Sequence, residues 1–485
     1  MSDCRLKGDD EAPRNTLCTT TDRGRRFRFQ GDLNGKQEHC PKIQEETVRI
    51  LNYNTMLLTF AGNYAHEKRA RLIGDADFMQ GNDVIVLEEV FRNQEPAANI
   101  LLNTLKSHGY IYQTPIVGAN NKTGWDSSVD NASRVENGGV VIVSKHPIEY
   151  QAEHIYNAQP CGSDKHSEKG FAYVRINFNG TRLHVIGTHT QSDDTGCPKA
   201  GDNSAPSIRQ KQFREIDQFI SVQNIPKGET IVISGDMNVD RHSAEYSSML
   251  STLHAERPDQ NLGWPYSFDT QNNTIAKERY GQHVQVYAGN DPSQDLDHIL
   301  LRQGHARPST WNNKTLTKQY DWDMVGNTGQ WYGYSDYSDH YPVVAGDVTE
   351  PTGTYELAVE KATLKRYEHN DNSAVVYGDI TITGASESGR DRQILWYKNY
   401  SESASPAMKV GADFPLSPHR TVRSDHGFAV HVDVLDYHSS PFVRNETVAY
   451  GTAWWHNGDP EGRHTAILVG AYRGVIEVTY NVRKL

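Results

Sequence analysis

TIVISGDMNVD, residues 230–240, decides the fold. Thr230, Ile231, Val232 and Ile233 are all β-branched, the side chains that suit a pleated strand. A strand apolar at consecutive positions is covered on both faces, as in a sheet buried between layers. Asp236 and Asn238 follow at once, so they fall at the strand end, on the rim of that sheet. YSDHYPVVA, residues 337–345, repeats the logic in the opposite direction, with Asp339 and His340 leading into Tyr341, Val343 and Val344.

Outward from these two stretches the same kind of run recurs. VRILNYNT (Val48–Thr55), DVIVLEEV (Asp83–Val90), GVVIVSKHP (Gly139–Pro147), LHVIGTHT (Leu183–Thr190) and LDHILL (Leu296–Leu301) all read as strands. Between them, Leu72, Ile73, Ala76 and Met79 share one helical face, and Phe213, Ile216 and Ile220 share another. Strands alternating with helices predict an α/β domain over 47–348. EPTGTY, within a linker at 349–355, breaks the pattern with Pro and Gly. From 356 to 485 the runs SAVVYGDITITG, GFAVHVDVLDY, TVAYGTAWWH, TAILVGAY and VIEVTYNV predict a C-terminal β-sandwich of seven or eight strands. Trp454 and Trp455 are expected to pack within it. Residues 1–46 hold no lasting period and read as an extended arm held by disulfides.

Composition limits the function classes. At 485 residues the chain exceeds one ordinary core. The net charge of -12 argues against broad attraction to nucleic acid. Mean hydropathy is -0.69, and no apolar stretch approaches the ~20 residues of a spanning helix. The start, MSDCRLKGDD, lacks an apolar signal core, so either the chain is cytosolic or a signal has been removed and a start Met added. Five cysteines include Cys161 and Cys197, both in polar loops where inert buried thiols are not expected. They read as a disulfide, with one further bridge among Cys4, Cys18 and Cys40. That usage implies an oxidising compartment and a secreted protein. No C-x-x-C pair suggests zinc.

The chemistry lies at strand ends. Glu88 and Glu89 close Val84–Leu87, and Asn54 closes the first strand. Carboxylates over a buried sheet edge need a compensating cation, and hard oxygen donors suit Mg²⁺. His189 closes LHVIGTH and His340 lies in SDHYP; two imidazoles can supply a base and an acid near neutral pH. Asp297 is placed to orient His340. Asp236 and Asn238 are placed to bind phosphate or attacking water.

Glu-Val-Phe (Glu89–Phe91), Gly-Gly-Val-Val-Ile-Val-Ser-Lys (Gly138–Lys145), Gly-Thr-His (Gly187–His189), Gly-Asp-Met-Asn (Gly235–Asn238) and Ser-Asp-His (Ser338–His340) occur in this order. The set resembles the endonuclease/exonuclease/phosphatase superfamily of the deoxyribonuclease I type, over roughly Thr47 to Gly346. Within it the chain looks most like the secreted bacterial neutral sphingomyelinases, and Cys161 and Cys197 match that group's paired cysteines. The resemblance implies a four-layer α/β/β/α sandwich followed by the β domain. It implies Mg²⁺-dependent hydrolysis of membrane sphingomyelin to ceramide and phosphocholine, with Mn²⁺ or Co²⁺ as candidate substitutes. His340 would be the general base oriented by Asp297, and His189 the acid or leaving-group stabiliser. Asp236 and Asn238 would contact phosphate and water. Glu89, Asn54 and Asp339 would surround the metal, and Asn93, Glu136 and Asn137 match an accessory metal site. The group often has Asp where this chain has Asn137, which weakens a second cation there. Trp331, Tyr332 and Tyr334, with Phe91, are the expected membrane or substrate contacts, since exposed aromatics favour a lipid interface and attract choline. The alternatives are a phospholipase C on other choline lipids and a Mg²⁺-dependent nuclease on the same fold; acidic net charge and the aromatic stretch weigh against the nuclease.

Overall fold

The computed structural model describes residues 15–22, 25–32, 48–58, 64–91, 96–119, 123–129, 134–280, 293–325, 331–386, 389–400, 406–437 and 446–485. The chain forms two units, Met1–Thr47 and Val48–Leu485. In the first, strands Asn15–Asp22 and Arg25–Asp32 pair as an antiparallel hairpin. The expected extended arm thus includes a hairpin, whose Thr-rich first strand, Asn15–Asp22, is rich in β-branched residues though it lacks alternation. The expected bridge among Cys4, Cys18 and Cys40 lies outside the described residues.

In the second unit, two seven-stranded sheets stack face to face. One is centred on Thr181–His189 and Thr230–Asp236, which run parallel. The other is centred on Ile50–Asn54 and Val84–Glu88, also parallel. Alternate side chains of the same strands serve two different cores. Ile50, Val84, Val86 and Ile142 meet Val174, Val185, Val232 and Ile299 between the sheets. Leu51, Ile85, Leu87 and Val143 turn outward against helices His66–Asp75 and Ala97–Ser107. On the far side Ile186, Ile231, Ile233 and Leu300 pack on Ala205–Val222 and Ala244–Thr252. This is the α/β/β/α order, and period-two burial on both faces explains why the strands read as unbroken apolar runs.

One helical face is shorter than its pattern suggests. The helix ends at Asp75; Ala76 is extended and Met79 sits in a 3₁₀ turn over Asp77–Met79. Both remain buried, so burial rather than helix continuity places them.

Strands from Tyr355 onward build two four-stranded antiparallel sheets that enclose one core of Leu357, Ile380, Val430, Ile476 and neighbours. Trp455 is buried in it. Trp454 instead packs edge-on against Trp264 of the α/β part, centroids 4.8 Å apart. The stretch read as a linker is pinned: Glu350 accepts a hydrogen bond from the Gly263 amide at 2.6 Å.

Candidate active site

Strand register assembles the site before any side chain is considered. His189 pairs with Asp236 across the parallel strands, and Asp236 pairs with Asp297 across the next antiparallel pair. Three polar residues thus stand in one row on the rim of the first sheet. Asn54 and Glu88 pair in the same way on the facing sheet. Gly235 keeps the row tight, since a Cβ there would lie 1.9 Å from the Thr188 carbonyl oxygen.

Side chains then close the gap between the rows. Asn54 Nδ2 donates to Glu89 Oε1 at 3.2 Å and to Asp236 Oδ2 at 3.1 Å. Asn52, one step deeper, donates to Asp297 Oδ1 at 3.1 Å and accepts from Ser234 Oγ at 2.8 Å. His340 arrives from the loop before Val343–Gly346. Its Nδ1 lies 2.8 Å from Asp297 Oδ2, and its Nε2 lies 3.8 Å from Asp236 Oδ2. His189 Nε2 reaches the same Asp236 oxygen at 3.4 Å. Two imidazoles therefore converge on one carboxylate, and one of them is braced from behind by another. All four residues are buried.

Charge in this cluster is unbalanced. Burial alone would lower the His340 pKa, but Asp297, Asp236 and Asp339 outweigh it and push it up to about 10. His189 goes the other way: burial first, then Lys169, lower it to about 3. Glu89 is raised to about 7, chiefly by burial and then by Asp339, with Arg279 and His340 offsetting part. Burial, Asp297 and Asp236 raise Glu88 well above the carboxylate range. Asp236, Asp297 and His340 also offer ligand atoms within 4.8 Å of one another. Such crowding of carboxylates is costly without a bound cation.

Two residues adopt left-handed backbone to aim their side chains, Glu89 at φ 55° and Asn238 at φ 49°. Non-glycine residues in that region cost of order 1–3 kcal/mol and cluster at functional sites. The chain permits the first because Gly139 packs against it; a Cβ on Gly139 would lie 3.1 Å from Glu89 Cα. Asn238 is held by its amide N–H on Asp236 Oδ1 at 3.0 Å and by its side-chain donation to Thr190 O at 3.2 Å. Asp339 accepts from Arg279 at 3.1 Å.

The fold brings together His340, His189, Asp236, Asn238, Asp297, Asn54, Glu89 and Asp339. Glu136 and Asn137 lie on the neighbouring turn, where the Asn137 side-chain oxygen accepts from the Gly139 amide at 2.9 Å and Glu136 accepts from the Asn137 amide at 3.0 Å. Asn93 lies outside the described residues, as do the side chains of Trp331 and Tyr332. Two of the expected membrane or substrate contacts are buried side chains. Phe91 is buried beneath Gly139. Tyr334 is buried too, packed on Trp322 with centroids 4.6 Å apart and bonded to Glu278. Its aromatic neighbours supply enough apolar partners to draw it inward. Tyr337, from the same stretch, is also buried, against Phe78.

Several residues of the site were missed in the sequence: Asn52, Lys169, Phe268 and Arg279. Lys169 Nζ donates to Thr190 O at 2.7 Å, and the Phe268 ring lies 5.1 Å from that of His340. Only Asn52 carried a signal, an amide inside the buried strand Ile50–Asn54. Cys161 and Cys197 form the expected disulfide.

The Endonuclease/Exonuclease/phosphatase family profile matches residues 53–340. "Sphingomyelinase C 2" of Leptospira interrogans serogroup Icterohaemorrhagiae serovar Lai (strain 56601) is 39% identical over 317 residues, 63% of this chain and 47% of that protein. The chain thus spans about half the length of that relative. The crystal structure of sphingomyelinase C from Streptomyces griseocarneus is 44% identical, with a TM-score of 0.57 over 62% of this chain and 99% of that one. The crystal structure of a mutant beta toxin from Staphylococcus aureus, with bound magnesium ions, is 36% identical, with a TM-score of 0.56 over 61% of this chain and 98% of that one.

Proposed function

This chain belongs to the Endonuclease/Exonuclease/phosphatase family, and on that premise we propose that it hydrolyses sphingomyelin to ceramide and phosphocholine. The observation that carries the reading is the Asp297–His340–Asp236–His189 chain at the junction of the two sheets. Sphingomyelinases C similar over about three-fifths of this chain support the choice of substrate.

His340 is the general base. Asp297 fixes its ring and tautomer through Nδ1, leaving Nε2 to take a proton from water that attacks phosphorus in line. His189, held neutral, acts as a hydrogen-bond donor to the leaving oxygen. Asp236, braced by Asn54, sets the spacing of both imidazoles, and Asn238 orients the attacking water or a phosphoryl oxygen.

The donor set fits Mg²⁺. Glu89 and Asp339 are carboxylates that raise the proton affinity of their surroundings, and Asn54 adds an amide between Glu89 and Asp236. Bound there, Mg²⁺ supplies positive charge to the phosphoryl and leaving oxygens and offsets the carboxylate field that keeps a proton on His340. The Cys161–Cys197 bridge supports secretion into an oxidising compartment. Among the described residues no helix is long and apolar enough to cross a membrane, so contact with lipid is peripheral in this reading.

The test is turnover by His340→Ala and Glu89→Ala variants on sphingomyelin vesicles with Mg²⁺. Both are expected to fold normally and lose most activity. Near wild-type turnover in either removes the role assigned to that residue.

A further inference from the structure

We propose that the C-terminal sandwich is a working part of the catalytic site: Arg390, on strand Gly389–Lys398, fixes the segment that carries Ser267, Phe268 and Asn273 and so sets the position of His340 and Asp297. Arg390 is thereby a positioning residue for the hydrolysis proposed above, on which this inference rests.

The path is continuous. Arg390 Nη1 donates to Asp269 Oδ1 at 3.2 Å, and its guanidinium lies over the Tyr266 ring at 4.2 Å. Both members of the ion pair are buried, Arg390 at 6% and Asp269 at 0% side-chain exposure. Burial would raise the Asp269 carboxyl; Arg390 and the surrounding donors hold it below its usual value. Asp269 is a hub. It accepts from the amides of Gln271 and Asn272 at 2.9 and 3.2 Å, from Ser293 Oγ at 3.0 Å and from Trp264 Nε1 at 2.8 Å.

Residues flanking the hub reach the site directly. Ser267 Oγ accepts from the Asp297 amide at 3.1 Å, and Ser267 O accepts from the Tyr341 amide at 2.7 Å. Phe268 forms a β-bridge with His340 and packs on its ring. Asn273 Nδ2 donates to Ser338 O at 2.9 Å. One short segment therefore holds both members of the His340–Asp297 pair from outside the two sheets. The sandwich grips it a second time, with Tyr450 Oη donating to Thr274 O at 2.6 Å. A module merely tethered for adhesion would not need a buried arginine and a half-buried tyrosine hydroxyl at this point.

The experiment uses the full chain and measures kcat and KM for sphingomyelin in Mg²⁺, with unfolding midpoints to confirm that each variant is folded. Arg390→Ala is expected to lower kcat roughly 10- to 100-fold, the scale of a misplacement of about 1 Å, with KM nearly unchanged. Arg390→Lys restores the charge beside Asp269 and recovers part of kcat. Tyr450→Phe leaves no buried charge behind, keeps the fold if Arg390→Ala does not, and lowers kcat roughly fivefold. His456→Ala breaks a different contact between the same two parts, to Thr317 Oγ1 at 2.8 Å, and leaves kcat unchanged. Wild-type kcat in a folded Arg390→Ala or Tyr450→Phe protein overturns the inference alone. A wild-type chain that spares sphingomyelin but cleaves another phosphodiester overturns the substrate reading, and the same ratios on that substrate then decide the inference. A wild-type chain inert on every phosphodiester overturns both.

Discussion

Asp236 Oδ2 sits between two imidazoles whose proton affinities are driven apart, His340 to about 10 and His189 to about 3. That order keeps the proton on His340 until a bound cation offsets the carboxylates, so its role as base rests on the Asp297 bond and on that cation. The bond from His340 to Asp297 predicts that Asp297→Asn lowers kcat about 10²- to 10⁴-fold with little change in KM, measured by steady-state phosphocholine release. Glu89 carries a different prediction. Glu89→Gln removes charge where Asp339 and burial already press, so Mg²⁺ binding weakens by tenfold or more in calorimetric titration while the fold persists. The strand-end residues were legible because a polar side chain after an apolar run has few other reasons to be there. Lys169, Arg279 and Phe268 were not, because they meet the site only through tertiary approach and carry no local pattern.

At the scale of elements, register did most of the placing. The runs ending at His189 and Asp236 were readable as strands, and their alignment followed from burying both faces. What escaped the sequence was the end of one helix at Asp75 and the N-terminal hairpin, where burial and cross-strand pairing override local signals. Within the aromatic stretch clustered rings satisfy one another, so Tyr334 and Tyr337 pack inward. The loop closed by Cys161–Cys197, 36 residues apart, makes its own prediction. Gln191 accepts from the Cys161 amide at 3.0 Å, one residue from Thr190, whose carbonyl binds both Lys169 and Asn238. Cys161→Ser with Cys197→Ser should cost about 3 kcal/mol in denaturant unfolding and slow turnover, because the closed loop no longer limits the unfolded chain or braces Gln191.

At the scale of the molecule, the α/β/β/α part and the β-sandwich share a buried polar boundary. His431 lies on it, fully buried, near Lys277 of the first part and Arg392 of the second. Burial first, then those two cations, hold its pKa well below 6.5. The folded chain therefore keeps His431 neutral while the unfolded chain binds a proton below about pH 6.5, so stability is full above that pH and falls as pH drops beneath it. His431→Gln should flatten the fall in unfolding free energy between pH 6.5 and 5, a slope of up to about 1.4 kcal/mol per pH unit from this residue. Sequence revealed that a second β part follows the first. It could not reveal that the two are joined through Arg390, because the pairing partner, Asp269, lies 121 positions away.

The proposed reaction at this rim is cleavage of the phosphodiester of sphingomyelin. Phosphocholine release from sphingomyelin vesicles, alongside phosphatidylcholine vesicles and plasmid DNA, with and without Mg²⁺, tests it most directly. Mg²⁺-dependent release from sphingomyelin is expected, abolished by chelator and restored by Mg²⁺, with far slower cleavage of the two controls. Release that ignores chelator, or faster cleavage of DNA or phosphatidylcholine than of sphingomyelin, would contradict it.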